Sequence, residues 1–196
     1  MAIDLARRLL VAAVGIPIVL IVAWWGGAAM AVGLGLLAAV GVWEFGRMLT
    51  ASGGRFLGIA AAAGAATLPY VAWATGAEGM LVVLTLLLLA VSALAALRIP
   101  PQDGPFRAAA LSFGAAAYVG GLLSYGLLLR ETVTPDQRLG TAMFLLPVAV
   151  TWLADTAAYF AGRALGRRPL APIISPNKTI EGGVAALLAG PVGALA

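Results

Sequence analysis

Asp155, Tyr159 and Arg163 stand four residues apart in otherwise apolar sequence, so a helix would bring all three to one face. Such a file aligns a carboxylate, a phenol and a guanidinium, with Thr151 one turn further along and Gly162 and Gly166 clearing room beside it. Downstream, Arg167 and Arg168 lead into Pro169, Pro172 and Pro176, which force extended or turned backbone between Leu170 and Pro176. The run Ser175-Pro176-Asn177-Lys178-Thr179-Ile180-Glu181 then opens the next apolar segment. Thr179 suits a helix N-cap, and Glu181 suits the first turn, where a carboxylate favours the macrodipole. A helix N-terminus beside a lysine and hydroxyls is a natural place for phosphate oxygens. The chemistry these types permit is presentation of cations, donors and a carboxylate to a metal-bound phosphate. Two plainer readings stay open. Asp155 and Arg163 could simply fasten helices together, and Lys178 with Thr179 could be a basic membrane flank with a capping threonine.

The elements that position these residues follow from composition. Of the 196 residues, 62% are hydrophobic and 10% charged, with a mean hydropathy of +1.02. A soluble domain carries about 45–50% apolar and about 25% charged residues. Lipid must therefore be the solvent, and the fold class expected is all-α, a polytopic bundle of transmembrane helices. An ionisable residue inside such a segment is costly, and by default marks a functional site. The absence of cysteine and histidine excludes disulfides, thiolates and imidazole, leaving carboxylates, hydroxyls, lysine and backbone. The net charge of +4 suits anionic headgroups or phosphorylated substrates better than nucleic acid.

Seven spans are read within one membrane domain, 1–196: residues 9–25, 28–43, 56–73, 80–97, 108–129, 141–162 and 180–196. Arg7 and Arg8 precede a long apolar run that leads into further spans, which argues for a retained helix rather than a cleaved signal. Gly26–Gly27 reads as a tight turn, and Glu44–Arg55 as a polar connection in which Glu44 and Arg47 pair. Pro69 suggests a kink, and a minimal turn holds Thr75, Gly76 and Glu78. Gly114, Gly120, Gly121 and Gly126 offer close helix contacts in the fifth span. Arg130 and Arg138, with Glu131 and Asp136, read as a solvated loop. With a cytoplasmic N-terminus, ten of the twelve basic residues fall inside and only Arg130 and Arg138 outside. The 163–179 segment is then a cytoplasmic active-site loop. The chain stops in apolar sequence at Ala196, so it is expected to be the N-terminal part of a longer protein. Lys178-Thr179 lacks the preceding glycines of a Walker A loop, and Gly33-Leu34-Gly35 follows no soluble strand.

The stretch DTAAYFAGRALG at 155–166, followed by SPNKTIEG at 175–182, resembles the core of bacterial phosphatidate cytidylyltransferases, also called CDP-diacylglycerol synthases. The resemblance is dense over about thirty residues, and the basic N-terminus and Trp43-Glu44-Phe45 are similar to that family's start. It implies a multi-pass protein of the bacterial inner (plasma) membrane. It also implies a reaction in which CTP and phosphatidic acid give CDP-diacylglycerol and pyrophosphate with a divalent cation, usually Mg2+. Carried onto this chain, Asp155, Lys178 and Glu181 would be catalytic, with Asp155 the one metal ligand present. Tyr159, Arg163, Arg167, Ser175, Asn177 and Thr179 would bind substrate. The family suggests a homodimer. Its C-terminal Lys-Asp-x-Gly, His-Gly-Gly and Asp-Arg-x-Asp segments are missing here, so this chain alone is expected to be inactive.

Competing readings are a related CTP-dependent enzyme acting on a polyprenol or archaeal lipid, a small membrane transporter, and a structural membrane subunit. A transporter calls for polar residues at mid-depth on several helices, and spans one to five are almost bare of them.

Overall fold

The computed structural model describes residues 2–132 and 136–195, with side chains over 13–131 and 136–191. The expectations for the side chains of Arg7 and Arg8, for residues 133–135 of the 130–138 loop, and for side chains beyond 191 lie outside the described residues. The chain forms two compact units, Met1–Thr141 and Ala142–Ala196. Among the described residues all regular structure is helical except one two-stranded hairpin.

In the first unit, α1 (Ala2–Trp25) and α2 (Gly27–Ala51) meet at Gly26 and Gly27, both at positive φ as the expected tight turn requires. α2 continues through Glu44–Thr50, because nothing in that stretch breaks a helix before Ser52 and Gly53. The expected polar connection is therefore mostly helix, and among the described residues Glu44 and Arg47 form no ion pair. α3 (Gly58–Arg98) leaves helical dihedrals at Gly76 (φ 73°, ψ −162°) and not at the buried Pro69. There the chain doubles back. Gly64 of one arm lies against Leu87 of the other, and Leu68, Ala72 and Met80 close the turn end.

α4 (Pro105–Ala116), a π-turn at Ala117–Gly121 and α5 (Leu122–Thr132) form the next continuous stretch. A Cβ on Gly120 would sit 2.8 Å from Ala65 Cα, and one on Gly35 would sit 2.5 Å from the Ala66 carbonyl oxygen. In lipid, where apolar side chains gain little by leaving their solvent, such backbone approach is what holds helices together. Gly114 and Gly121 face open space, so of the glycines expected to make contacts in this stretch Gly120 is the one shown to do so. The core is correspondingly small-chained, with Ala38, Ala61, Ala65, Ala95 and Ala116 fully buried. Large side chains such as Leu36, Ile59, Leu81 and Leu97 lie outward, exposed by 64–83%.

Gly27–Ala51, Gly58–Arg98, Pro105–Glu131 and Gln137–Leu165 are long and apolar enough to cross a membrane. The chain is a multi-pass membrane protein. The second unit contains most of α6 (Gln137–Leu165), the hairpin β1 (Pro169–Ala171) and β2 (Ser175–Thr179), and α7 (Ile180–Leu195).

Arg130 corrects the solvated-loop reading. Its side chain is 7% exposed; Nε donates to the Ala23 carbonyl at 2.7 Å and Nη2 to that of Trp24 at 2.8 Å. These are carbonyls that the end of α1 leaves without a helical partner. Glu131 completes the clamp by pairing with Arg130 and accepting from the Gly27 N–H at 2.8 Å. Any Cβ on Gly26 would fall on the Arg130 guanidinium. Removing one member of a buried charge pair costs about 3–5 kcal/mol. Arg130→Ala is expected to lose that much in SDS-driven unfolding, whereas exposed Arg138→Ala should stay within about 0.5 kcal/mol.

Candidate functional site

The second unit builds its site from three pieces adjacent in sequence. α6 keeps Asp155, Tyr159 and Arg163 on one face, as their four-residue spacing requires. At Gly166 the helix ends, and Pro169 starts an antiparallel hairpin with Pro169 opposite Thr179 and Ala171 opposite Ser175. The prolines are tolerated because a two-stranded hairpin is all edge. Ile180 N–H donates to the Arg168 carbonyl at 2.9 Å, tying the start of α7 to the residue before β1. Thr179 then caps α7: its Oγ1 accepts from the Gly182 N–H at 3.2 Å.

Between these pieces lies a cavity of about 480 Å³. Asp155, Tyr159, Arg163, Asn177, Lys178 and Thr179 all line it, so six of the sequence-derived site residues converge. Arg163 Nη1 donates to the Tyr159 hydroxyl at 3.3 Å, and the Tyr159 ring meets Phe160 edge-on at 5.4 Å between centroids. Both the arginine and the lysine are exposed. Among the described residues Asp155 pairs with no cation, so the reading of Asp155 and Arg163 as a helix fastener has no ion pair behind it. The site's cations are left free for an anion.

Glu181, Arg167 and Ser175 do not line the cavity. The Glu181 carboxylate accepts the backbone N–H groups of Arg167 at 3.1 Å and Arg168 at 3.4 Å. It thereby fastens the segment joining α6 to the hairpin. Arg167 enters this arrangement through its backbone. Ser175 sits half-buried in β2.

Sequence reasoning passed over Gly182. It is buried, and a Cβ there would lie 2.7 Å from the Ala158 carbonyl oxygen and 3.3 Å from Gly162 Cα. α6 and α7 therefore cross backbone to backbone at Gly162 and Gly182. The space beside Gly162 and Gly166 is filled by Thr179, whose Oγ1 would be 3.0 Å and 2.9 Å from their added Cβ atoms. The glycine pair directly after Glu181 was the available signal, since glycine has no intrinsic reason to occupy the first turns of a helix. Leu170, Gly183 and Ala186 complete the apolar side of the cavity.

Magnesium is commonly held by one or two carboxylates, with water and substrate phosphates filling its shell. Asp155 fits that pattern as the one carboxylate lining the cavity, and among the described residues no cluster of three acidic groups forms a self-sufficient cage.

Residues 6–196 match the cytidylyltransferase family. Three curated proteins named phosphatidate cytidylyltransferase are similar to the chain over shorter stretches. That of Haemophilus influenzae is 41% identical over 71 residues, covering 36% of this chain and 24% of the relative. That of Staphylococcus saprophyticus is 42% identical over 83 residues, covering 42% and 29%. That of Bacillus subtilis is 43% identical over 68 residues, covering 35% and 24%. The match thus spans 24–29% of the length of these relatives. No solved structure matches the chain.

Two outcomes follow from this packing. Gly182→Ala is expected to cost about 1–3 kcal/mol by overpacking the crossing. Gly190→Ala, whose Cβ would meet only Val150 at 3.7 Å, should cost nothing, as SDS unfolding of the two would show. Glu181→Ala should speed trypsin cleavage after Arg167 while leaving helical circular dichroism unchanged, because the carboxylate anchors that backbone.

Proposed function

The chain belongs to the cytidylyltransferase family, and from that premise we propose that it carries the substrate-holding part of a phosphatidate cytidylyltransferase. The reaction would transfer CMP from CTP to phosphatidic acid, giving CDP-diacylglycerol and pyrophosphate. One observation carries the proposal: Lys178, Arg163, Asn177, Thr179 and Tyr159 converge with Asp155 on a single cavity whose cations have no carboxylate partner among the described residues.

In this reaction a phosphate oxygen of the lipid forms a bond to the α-phosphorus of CTP. The bond from that phosphorus to the bridging oxygen breaks, and pyrophosphate leaves with the electron pair. Little covalent help is needed from protein. What matters is alignment of the two phosphates and neutralisation of their charge. Arg163 on α6 and Lys178 on β2 supply that charge from two different elements. Tyr159 holds Arg163 in place and offers its hydroxyl, while Asn177 and Thr179 add polar contacts from β2. Asp155 would hold magnesium together with phosphate oxygens, and such an ion, when bound, neutralises negative charge on the triphosphate. Glu181 and the Arg167 backbone keep the hairpin, and hence Lys178, in position.

Seven membrane crossings with the N-terminus and the hairpin on the cytoplasmic side are part of the same proposal. The reversal at Gly76 supports it, since it makes α3 two crossings, and the shorter apolar helices at Ala13–Trp25 and Ile180–Pro191 add two more. The bacterial inner membrane is where this chemistry would meet both a cytosolic nucleotide and a membrane lipid.

The test is transfer of labelled CMP from CTP to phosphatidic acid in membranes containing the protein of which this chain is part. Lys178→Ala and Asp155→Asn are each expected to lower turnover by about 10²–10³-fold. Normal turnover in both would overturn the site, and transfer only to a polyprenyl phosphate would overturn the substrate.

A further inference from the structure

The first unit contains a second, larger cavity of about 600 Å³, set where α2 runs out and the second arm of α3 ends. Trp43, Phe56, Ile59, Ala63 and Leu94 give it apolar walls, and both Arg47 and Arg98 line it. We propose that this cavity binds one anionic phospholipid. Its phosphate would lie at Arg47 and Arg98, and an acyl chain would run along Trp43, Ile59 and Leu94. None of these residues lines the α6–α7 cavity, so the inference does not rest on the reaction proposed above.

The charge argument comes from partners. Arg55 is bridged to Asp103 at 2.6 Å, and Arg130 is clamped by Glu131. Arg47 and Arg98 have no carboxylate partner among the described residues, although Glu44 is only three positions from Arg47. Guanidinium groups match phosphate oxygens bidentately, and basic pockets between membrane helices take anionic headgroups. Arg98 ends α3 and Arg47 stands a turn before the end of α2, and the carbonyls at those C-terminal ends repel an anion. The two side chains must therefore supply all the attraction, which makes binding depend on both.

The apolar walls choose among phosphate compounds. A free phosphate or a nucleotide would make no contact with Trp43, Ile59 and Leu94, whereas an acyl chain tethered to the headgroup packs along them. A zwitterionic headgroup would bring its own cation against two guanidinium groups. The cavity is also built rather than incidental. Gly46 leaves space that the Phe56 ring fills, Phe45 packs at 6.3 Å from that ring, and buried Ser112 accepts the Leu57 N–H at 2.9 Å. Its volume lies within the ~300–1,000 Å³ usual for ligand pockets.

The experiment is native mass spectrometry of the full chain in detergent, titrated with phosphatidic acid or phosphatidylcholine of the same acyl chains. It is run in a Lys178→Ala background so that lipid at the other cavity contributes little. Phosphatidic acid should bind about tenfold more tightly than phosphatidylcholine, and Arg47→Ala/Arg98→Ala should abolish that preference. Arg107→Ala, a basic substitution outside the cavity, should keep it. Ala63→Phe, which fills the wall and spares both arginines, should lower phosphatidic acid binding while the chain stays folded by circular dichroism. Equal binding of the two lipids, an undiminished preference in the double variant, or undiminished phosphatidic acid binding in Ala63→Phe would overturn the proposal. Displacement of the lipid by inorganic phosphate or CTP at equal concentration would overturn it too, assigning the cavity to a soluble anion.

Discussion

Wherever a helix ends near lipid, its last carbonyls and first N–H groups need partners that water cannot be relied on to supply. The fold is arranged around that requirement. Arg130 takes the terminal carbonyls of α1, Thr179 takes an N–H at the start of α7, and Glu181 takes two N–H groups just beyond α6. Arg130 lies far in sequence from Thr179 and Glu181, and all three do the same work. Each fixes a direction in which the chain re-enters the apolar region.

Close backbone approach does the rest. Gly35 against Ala66, Gly120 against Ala65 and Gly182 against Ala158 replace the side-chain interdigitation of a soluble core. Because the crossings are tight, bulky residues face outward, and a helix end or a loop that interrupts the packing leaves room for a cavity. Both cavities lie at such interruptions. This explains why basic residues, confined to helix ends by the cost of burial in lipid, are the ones that line them.

Much of this was legible in the sequence because it follows local rules. The apolar runs, the Thr179 cap, the extended proline segment and the common face of Asp155, Tyr159 and Arg163 all depend on spacing alone. What escaped was tertiary. Nothing near Arg130 in sequence reveals that Ala23 and Trp24 wait for it more than a hundred residues away. The anchoring contacts of Glu181 were equally out of reach, because its partners are backbone N–H groups, which every residue possesses and no motif records. Glu44–Arg55 read as a connection because polar residues were equated with the end of a helix, whereas α2 simply extends past its apolar stretch.

The reversal at Gly76 sets a strict rule for the two arms it joins. With Gly64 against Leu87, positions at nearly matching distances from the bend meet, and Val91 and Ala95 lie on the buried face. An added residue in either arm would rotate everything beyond it by about 100°. Alanines and valines would then turn to the acyl chains and leucines toward a neighbour too near to admit them. Length in this hairpin is therefore as fixed as composition, and variation has room only at the bend.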